Sequence, residues 1–322
     1  MSTPALTPIR DAFGHALVEL GATNPDVVVL TADLAEAIKV HWFAEAHPGR
    51  FFQMGIAESD MIGTAAGLAL AGKVPFATTF AVFATSLANQ AVRLSVAYNR
   101  ANVKIAVSHG GLTVGEDGAT HQAIEDLALM RVLPGMTVVA PCDAVAARKA
   151  VFAVAAHRGP AYLRLGRVPS PVLTDEDTPF ELGRANVMRP GDDVAIVSIG
   201  AMLDLALRAA DELGRDGIEA RVIDMHTLKP LDLNVLDDAA ATCRAIVTVE
   251  EHTILGGLGG AVAEHLVRTR PTRVEMVGIR DTFGESGPPD ALLRKYGITV
   301  DAVVAAAHRA MADRASLTPS VA

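Results

Sequence analysis

The chain has 322 residues, is 50% hydrophobic and 4% aromatic, and carries a formal net charge of -9, enough apolar material for a sizeable core spread over about two domains. The acidic balance and the absence of clustered Lys and Arg exclude nucleic acid as a partner. The start, Met1 to Asp11, lacks a charged end followed by an apolar run, and no segment reaches the roughly 18 apolar residues of a membrane span, so the expectation is a cytoplasmic protein without membrane contact.

β-branched runs at 27–31, 74–78, 103–108, 136–140 and 161–165 alternate with Ala- and Leu-rich stretches. That alternation predicts buried strands of a parallel α/β sheet flanked by helices. The pattern breaks at Arg167-Val168-Pro169-Ser170-Pro171 and in the acidic run around Asp175, Glu176 and Asp177, which marks a linker. It resumes with strands at 194–199, 220–224, 245–249 and 274–279 and helices near 203–213 and 258–267, a second, smaller α/β domain. The expected division is a first domain at 1–168, a linker at 169–190, a second domain at 191–312 and a frayed tail at 313–322. Cys142 and Cys243 are far apart and offer neither a disulfide framework nor a metal-ligand cluster.

Several segments carry residues suited to chemistry. Asp33 follows the first strand in Thr31-Ala32-Asp33-Leu34. Gly55-Ile56-Ala57-Glu58 precedes a small-residue helix, which puts Glu58 near a helix N-terminus; by position alone it need only complement the helix dipole. Phe80 and Phe83 stand three apart in a chain poor in aromatics, a spacing that also fits ordinary packing. The strand at 103–108 runs into His109-Gly110-Gly111-Leu112-Thr113-Val114-Gly115-Glu116-Asp117-Gly118-Ala119-Thr120-His121-Gln122, at a strand's carboxyl end where open α/β sheets place ligands. Taken alone, that stretch is either a binding loop or a flexible surface loop. A metal on its His and Asp residues finds no third ligand at suitable spacing. Arg164 and Arg167 end the last strand of the first domain, as forks for a phosphate dianion or as an interdomain ion pair.

In this order, Gly55-Ile56-Ala57-Glu58, Thr79-Phe80-x-x-Phe83, Val92-Arg93-Leu94-Ser95 and Gly115-Glu116-Asp117-Gly118-Ala119-Thr120-His121-Gln122 resemble the transketolase family of thiamine diphosphate enzymes, over nearly the whole chain. The resemblance implies a pyrimidine-binding domain followed by the family's C-terminal domain. It makes Glu58 the catalytic carboxyl that hydrogen-bonds the cofactor's aminopyrimidine ring and exchanges a proton with it. It puts Phe80 and Phe83 in the pocket around that ring and Asp33 close to the cofactor at a subunit contact. His109 and His121 become sugar and phosphate contacts, Asp117 the reader of a donor hydroxyl, and Arg167, in better register than Arg164, the anchor for substrate phosphate. The sequence departs from the family where Ser86 or Leu87 replaces a third aromatic, where one residue is inserted before Val92, and where Ala37 stands in place of a phosphate-contacting serine. The last departure puts the usual pentose phosphate in doubt.

No Gly-Asp-Gly followed about thirty residues later by Asn occurs, so Mg2+ and the diphosphate must be held by another polypeptide. The resemblance therefore implies an N-terminal diphosphate-binding partner, an α2β2 heterotetramer, and two-carbon ketol transfer from a ketose phosphate to an aldose. The beta subunit of a 2-oxo acid dehydrogenase decarboxylase and a deoxyxylulose phosphate synthase-like enzyme are the alternatives. The retained Glu58, Asp117, His109 and His121 argue against a non-catalytic interaction subunit. In the second domain, His226-Thr227-Leu228-Lys229-Pro230 and 249–259 also resemble the family, and Gly257-x-Gly259 lacks the third glycine of a dinucleotide loop.

Overall fold

The computed structural model describes residues 6–312, and the expected tail at 313–322 lies outside them. The first sheet has seven strands in the order Thr227–Lys229, Thr137–Val139, Ala161–Arg164, Lys104–Ser108, Val74–Phe80, Val27–Thr31, Phe51–Gln53. All neighbours are parallel except the first pair, in which Thr227–Lys229 runs antiparallel to Thr137–Val139. Both faces are buried. Val27 and Val29 face one apolar cluster, with the helices Ile9–Thr23 and Ala144–Ala156, while Val28 and Leu30 face another, with the helix Glu58–Leu70. A strand covered on both sides has no polar face, which is why these strands read as continuous β-branched runs.

The second sheet has five strands, Val274–Ile279, Ala245–Thr253, Val194–Ser198, Ala220–Asp224 and Asn186–Arg189, the last antiparallel. The antiparallel edge strand Asn186–Arg189 lies inside the stretch expected to be linker. The remaining linker is tied down. Ser170–Pro171 pairs with Leu6–Thr7, Asp143 accepts from Leu173 N at 2.7 Å and Thr174 N at 2.6 Å, and Lys149 Nζ donates to the Asp175, Glu176 and Thr178 carbonyls.

The two domains share structure. The cluster holding Val28 and Leu30 continues into Ala195, Val197 and Ile246 of the second sheet, and Thr227–Lys229 belongs to the second half of the chain but completes the first sheet. At this seam Asp224 is 1% exposed with neither carboxyl oxygen hydrogen-bonded. Burial raises its pKa to about 7. Cys142 and Cys243 are buried, and burial raises both thiols.

The aromatic pair stands at a junction: Phe80 ends the strand Val74–Phe80, and Phe83 opens a wide-turn helix, Phe83–Leu87, followed by another at Val92–Tyr98. A helix absorbs one extra residue by widening a turn, and such turns recur at functional sites.

Candidate active site

Parallel strands align their carboxyl ends, and the residues that follow them converge on one edge of the first sheet: Asp33 after Val27–Thr31, Glu58 after Phe51–Gln53, Phe80 and Phe83, His109 after Lys104–Ser108, and Arg167 after Ala161–Arg164. The strand order reverses at Val27–Thr31, whose sequence successors pair with it on opposite sides. Asp33 and Phe80 thus flank a topological switch point, the place where open sheets leave a crevice. Asp33 and His109 have φ of 59° and 62°, two of five non-glycine residues in the left-handed region among those described. That conformation costs about 1–3 kcal/mol and survives where surroundings impose it. The Asp33 amide is held by Gln53 Oε1 at 2.7 Å.

Glu58 is the first residue of its helix, reached by a turn through Gly55 at φ 71°, and is 7% exposed. Its carboxyl takes part in no hydrogen bond with any described residue. Its oxygens are not among the fully buried unpartnered atoms, so the carboxyl opens at the sheet edge, where it can meet a partner from outside the chain.

On the same edge, the His109 ring stacks on Phe80 with centroids 3.7 Å apart and planes at 24°. Phe83 lies 5.8 Å from Phe80, and the His121 ring meets Phe83 edge-on at 5.4 Å. His109 is 3% exposed, with Nδ1 2.7 Å from Ser108 Oγ. Burial, then the charges of Arg10, Arg167 and His121, holds its pKa down to about 3. Near neutral pH it therefore offers a neutral imidazole with one N–H donor.

Arg167 donates through Nη1 to the Val114 carbonyl and to Glu116 Oε2 at 3.2 Å, and Nη2 lies 4.0 Å from Asp117. Arg10, to which no sequence motif pointed, completes the group. Its Nη1 donates to the Ala37 carbonyl at 2.6 Å and its Nε is buried without a partner. Burial, and then Arg167, lowers its pKa. The two guanidiniums thus repel one another at this edge, with Arg167 also facing Glu116 and Asp117. One signal in the sequence could have found Arg10: a cation in the first turn of a helix opposes the dipole.

Arg164 forms an ion pair within the first domain and a hydrogen bond to the second. Its Nε donates to buried Asp126 at 2.8 Å and its Nη2 to the Glu251 carbonyl at 3.0 Å. Asp126 also accepts from Tyr162 at 2.7 Å. Burial disfavours the Arg164 charge, but Asp126 and Glu251 outweigh it and its pKa is raised.

The second sheet's equivalent edge is filled from within. Glu250 accepts from Leu258 N at 2.7 Å and Gly259 N at 2.8 Å, at the N-terminus of the helix Leu258–Thr269. A Cβ at Gly257 would collide with the Glu250 carboxyl, so the glycine run admits a carboxylate rather than a dinucleotide. Among the described residues there is no group of three or more His, Cys, Asp or Glu placed to hold a metal, and no helix long and apolar enough to cross a membrane.

Comparison with known proteins agrees with this geometry. Residues 7–170 match the family described as "Transketolase, pyrimidine binding domain" and 183–303 that described as "Transketolase, C-terminal domain". A solved structure described as "Split gene transketolase, inactive beta4 tetramer" is 52% identical, with a TM-score of 0.89 over 94% of this chain and 98% of that one. The 6-deoxy-6-sulfo-D-fructose transketolase subunit of Clostridium sp. (strain MSTE9) is 43% identical over 93% of each chain. An apulose-4-phosphate transketolase subunit of Phocaeicola vulgatus is 37% identical over 91% of this chain and 94% of that one. With both domains matched along their length, the chain belongs to the transketolase family, of which it carries the pyrimidine-binding and C-terminal domains.

Proposed function

We propose that this chain is the pyrimidine-side half of a cytoplasmic, two-subunit, thiamine diphosphate-dependent transketolase that moves a two-carbon ketol unit from a ketose with an anionic end to an aldose. One observation carries the reading: the Glu58 carboxyl, unpaired within the chain, shares a sheet edge with the cationic group of Arg10 and Arg167 and the neutral His109. When bound, thiamine diphosphate supplies the carbon nucleophile that the side chains of the protein lack. Glu58 holds and exchanges a proton at the aminopyrimidine ring. Phe80 and Phe83 wall that ring from water, and Asp33 lies beside the cofactor at the subunit contact. His109 and His121 hydrogen-bond the sugar, Asp117 accepts from a donor hydroxyl, and Arg167 with Arg10 grips the anionic end. Arg164 acts behind them, fixing the loop.

The Mg2+ and diphosphate ligands are assigned to an N-terminal partner subunit in an α2β2 heterotetramer. The relatives described as transketolase subunits support an assembly of more than one chain. The 52% identical relative described as an inactive tetramer supports an inactive state of this chain by itself. With Ala37 in place of a serine, the anion is gripped by guanidiniums and a backbone-anchored Arg10 rather than a hydroxyl, which suits a terminal phosphate or sulfonate.

The test is ketol transfer by this chain together with an N-terminal transketolase subunit encoded next to it, thiamine diphosphate and Mg2+. Xylulose 5-phosphate and 6-deoxy-6-sulfofructose serve as donors and ribose 5-phosphate as acceptor. Turnover of either donor that disappears in Glu58→Ala supports the reading. A stable complex inactive on both removes it.

A further inference from the structure

The loop that follows His109 is shaped by the other domain. It carries Asp117 and His121, and its glycines at 111, 115 and 118 have φ of 87°, 77° and 78°, a backbone with little stiffness of its own. Its internal main-chain bonds are few and local, such as Gly118 N to Gly115 O at 3.1 Å and His121 N to Gly118 O at 2.9 Å. Arg167 of the first domain holds the Val114 carbonyl and Glu116, and the other longer-range holds come from the second domain. Glu251, on the strand Ala245–Thr253, places Oε1 2.5 Å from Thr113 N and Oε2 3.2 Å from Thr113 Oγ1, across 138 residues of sequence. At the loop's far end Gln122 Nε2 donates to the Glu285 carbonyl at 2.9 Å. Between them Gly118 faces Ser286 Oγ, which a Cβ there would meet at 2.5 Å.

Glu251 is 5% exposed, and burial raises its pKa against the opposing effects of Arg164 and Thr113. A buried carboxyl is costly, and this one makes its side-chain hydrogen bonds to a loop residue only. The loop is adapted to it in turn: a Cβ at Gly111 would stand 2.5 Å from the Glu251 carboxyl carbon. The Glu251 main chain is anchored through its carbonyl to Arg164 Nη2 at 3.0 Å, and Arg164 to Asp126. The side chain is thus held from behind and reaches forward into the loop.

We propose that Glu251 is the positioning residue of the loop at 110–122, and that the C-terminal domain acts on the active site by setting this loop's shape. That the loop binds the donor sugar rests on the function proposed above; that Glu251 orders it does not. Glutamine at 251 keeps an acceptor for the Thr113 amide and a donor for its hydroxyl, whereas alanine removes both.

The experiment is hydrogen–deuterium exchange of the full-length chain as wild type, Glu251→Ala and Glu251→Gln, with thermal unfolding of each. The expected result is about a tenfold or greater rise in exchange across 110–122 in Glu251→Ala, with Val194–Ser198 and Ala220–Asp224 unchanged, and recovery of most protection in Glu251→Gln. If Glu251→Ala does not fold, Glu251→Asp keeps the charge but withdraws it from Thr113, and the same local rise is expected. Unchanged loop exchange, or a rise shared equally by the second sheet, overturns the proposal. In the assembled enzyme the matching expectation is a higher donor KM in Glu251→Ala with unchanged thiamine diphosphate affinity. Local exchange in an assembly without ketol transfer would count against the proposed function and leave the positioning role standing, whereas an unchanged KM in an active enzyme would overturn the role in donor binding.

Discussion

The chain builds two parallel α/β sheets and treats their carboxyl edges oppositely. On the first, the Glu58 carboxyl opens at the edge with no hydrogen bond to a described residue, Arg10 keeps an unbonded Nε, and His109 sits in a left-handed backbone conformation. On the second, Glu250 fills its own helix N-terminus and Glu251 reaches across to Thr113. Unsatisfied groups and strained backbone mark an edge kept open for ligands. Satisfied carboxylates mark an edge that has become structural.

If that contrast is right, substitutions on the two edges should fail in different ways. The largest effect is expected at Glu58→Gln: turnover in the assembled enzyme falls about 100-fold or more while urea unfolding of the chain barely moves, since no bond within the chain is lost. Turnover near wild type would place Glu58 outside the chemistry. Glu250→Ala should do the reverse, costing about 2 kcal/mol in urea unfolding because it strips the acceptor from two amides at a buried helix start. Arg10→Ala is expected to raise the KM for an anionic donor about tenfold, the value of one charge-assisted contact, with kcat little changed. A donor lacking the anion should not register the substitution.

The smallest effect separates the edges from the seam between them. The folded pKa of Asp224 is raised to about 7 from 3.8, so the folded state binds the extra proton. Its contribution to stability is fully present below the unfolded pKa and is lost as pH rises through about 7. His109 and His226 act oppositely, burial holding them at about 3 and about 4, so stability gained from them grows with pH up to the ordinary histidine range. The Asp224 contribution is therefore read against Asp224→Asn: wild-type stability relative to that variant should fall by about 1 kcal/mol between pH 6 and pH 8. A pH-independent difference between the two would mean that Asp224 does not titrate in that range.

Much of the active edge was legible because its residues follow strands that announce themselves. Val27–Thr31 and Ala220–Asp224 are buried runs whose boundaries the β-branched pattern marked, and once parallel strands are placed their carboxyl ends define where Asp33, Phe80 and His109 must meet. Other elements had no such signal. Phe51–Gln53 is three residues long with two of them exposed, and Thr227–Lys229 is a short strand that pairs with a sheet from the other half of the chain. Asn186–Arg189 lies in the polar stretch read as linker because edge strands need no buried run.

The choice between Arg164 and Arg167 shows the same limit. Their three-residue spacing leaves both forks open to phosphate, and the tertiary fold separates them by burying Asp126 beside one and opening the other toward Asp117 and Glu116. Arg10 joins them from 157 positions upstream of Arg167, a distance over which sequence pattern carries no information about contact. By itself the sequence determined what is local: the alternation that makes parallel sheets, the two-domain division, and the ordered motifs that identify a pyrimidine-binding edge, because strand burial and turn chemistry act over a few neighbouring residues. The tertiary structure alone decided which charges pair, which carboxyls stay open and which domain holds the loop, because those outcomes depend on packing between segments far apart in the chain.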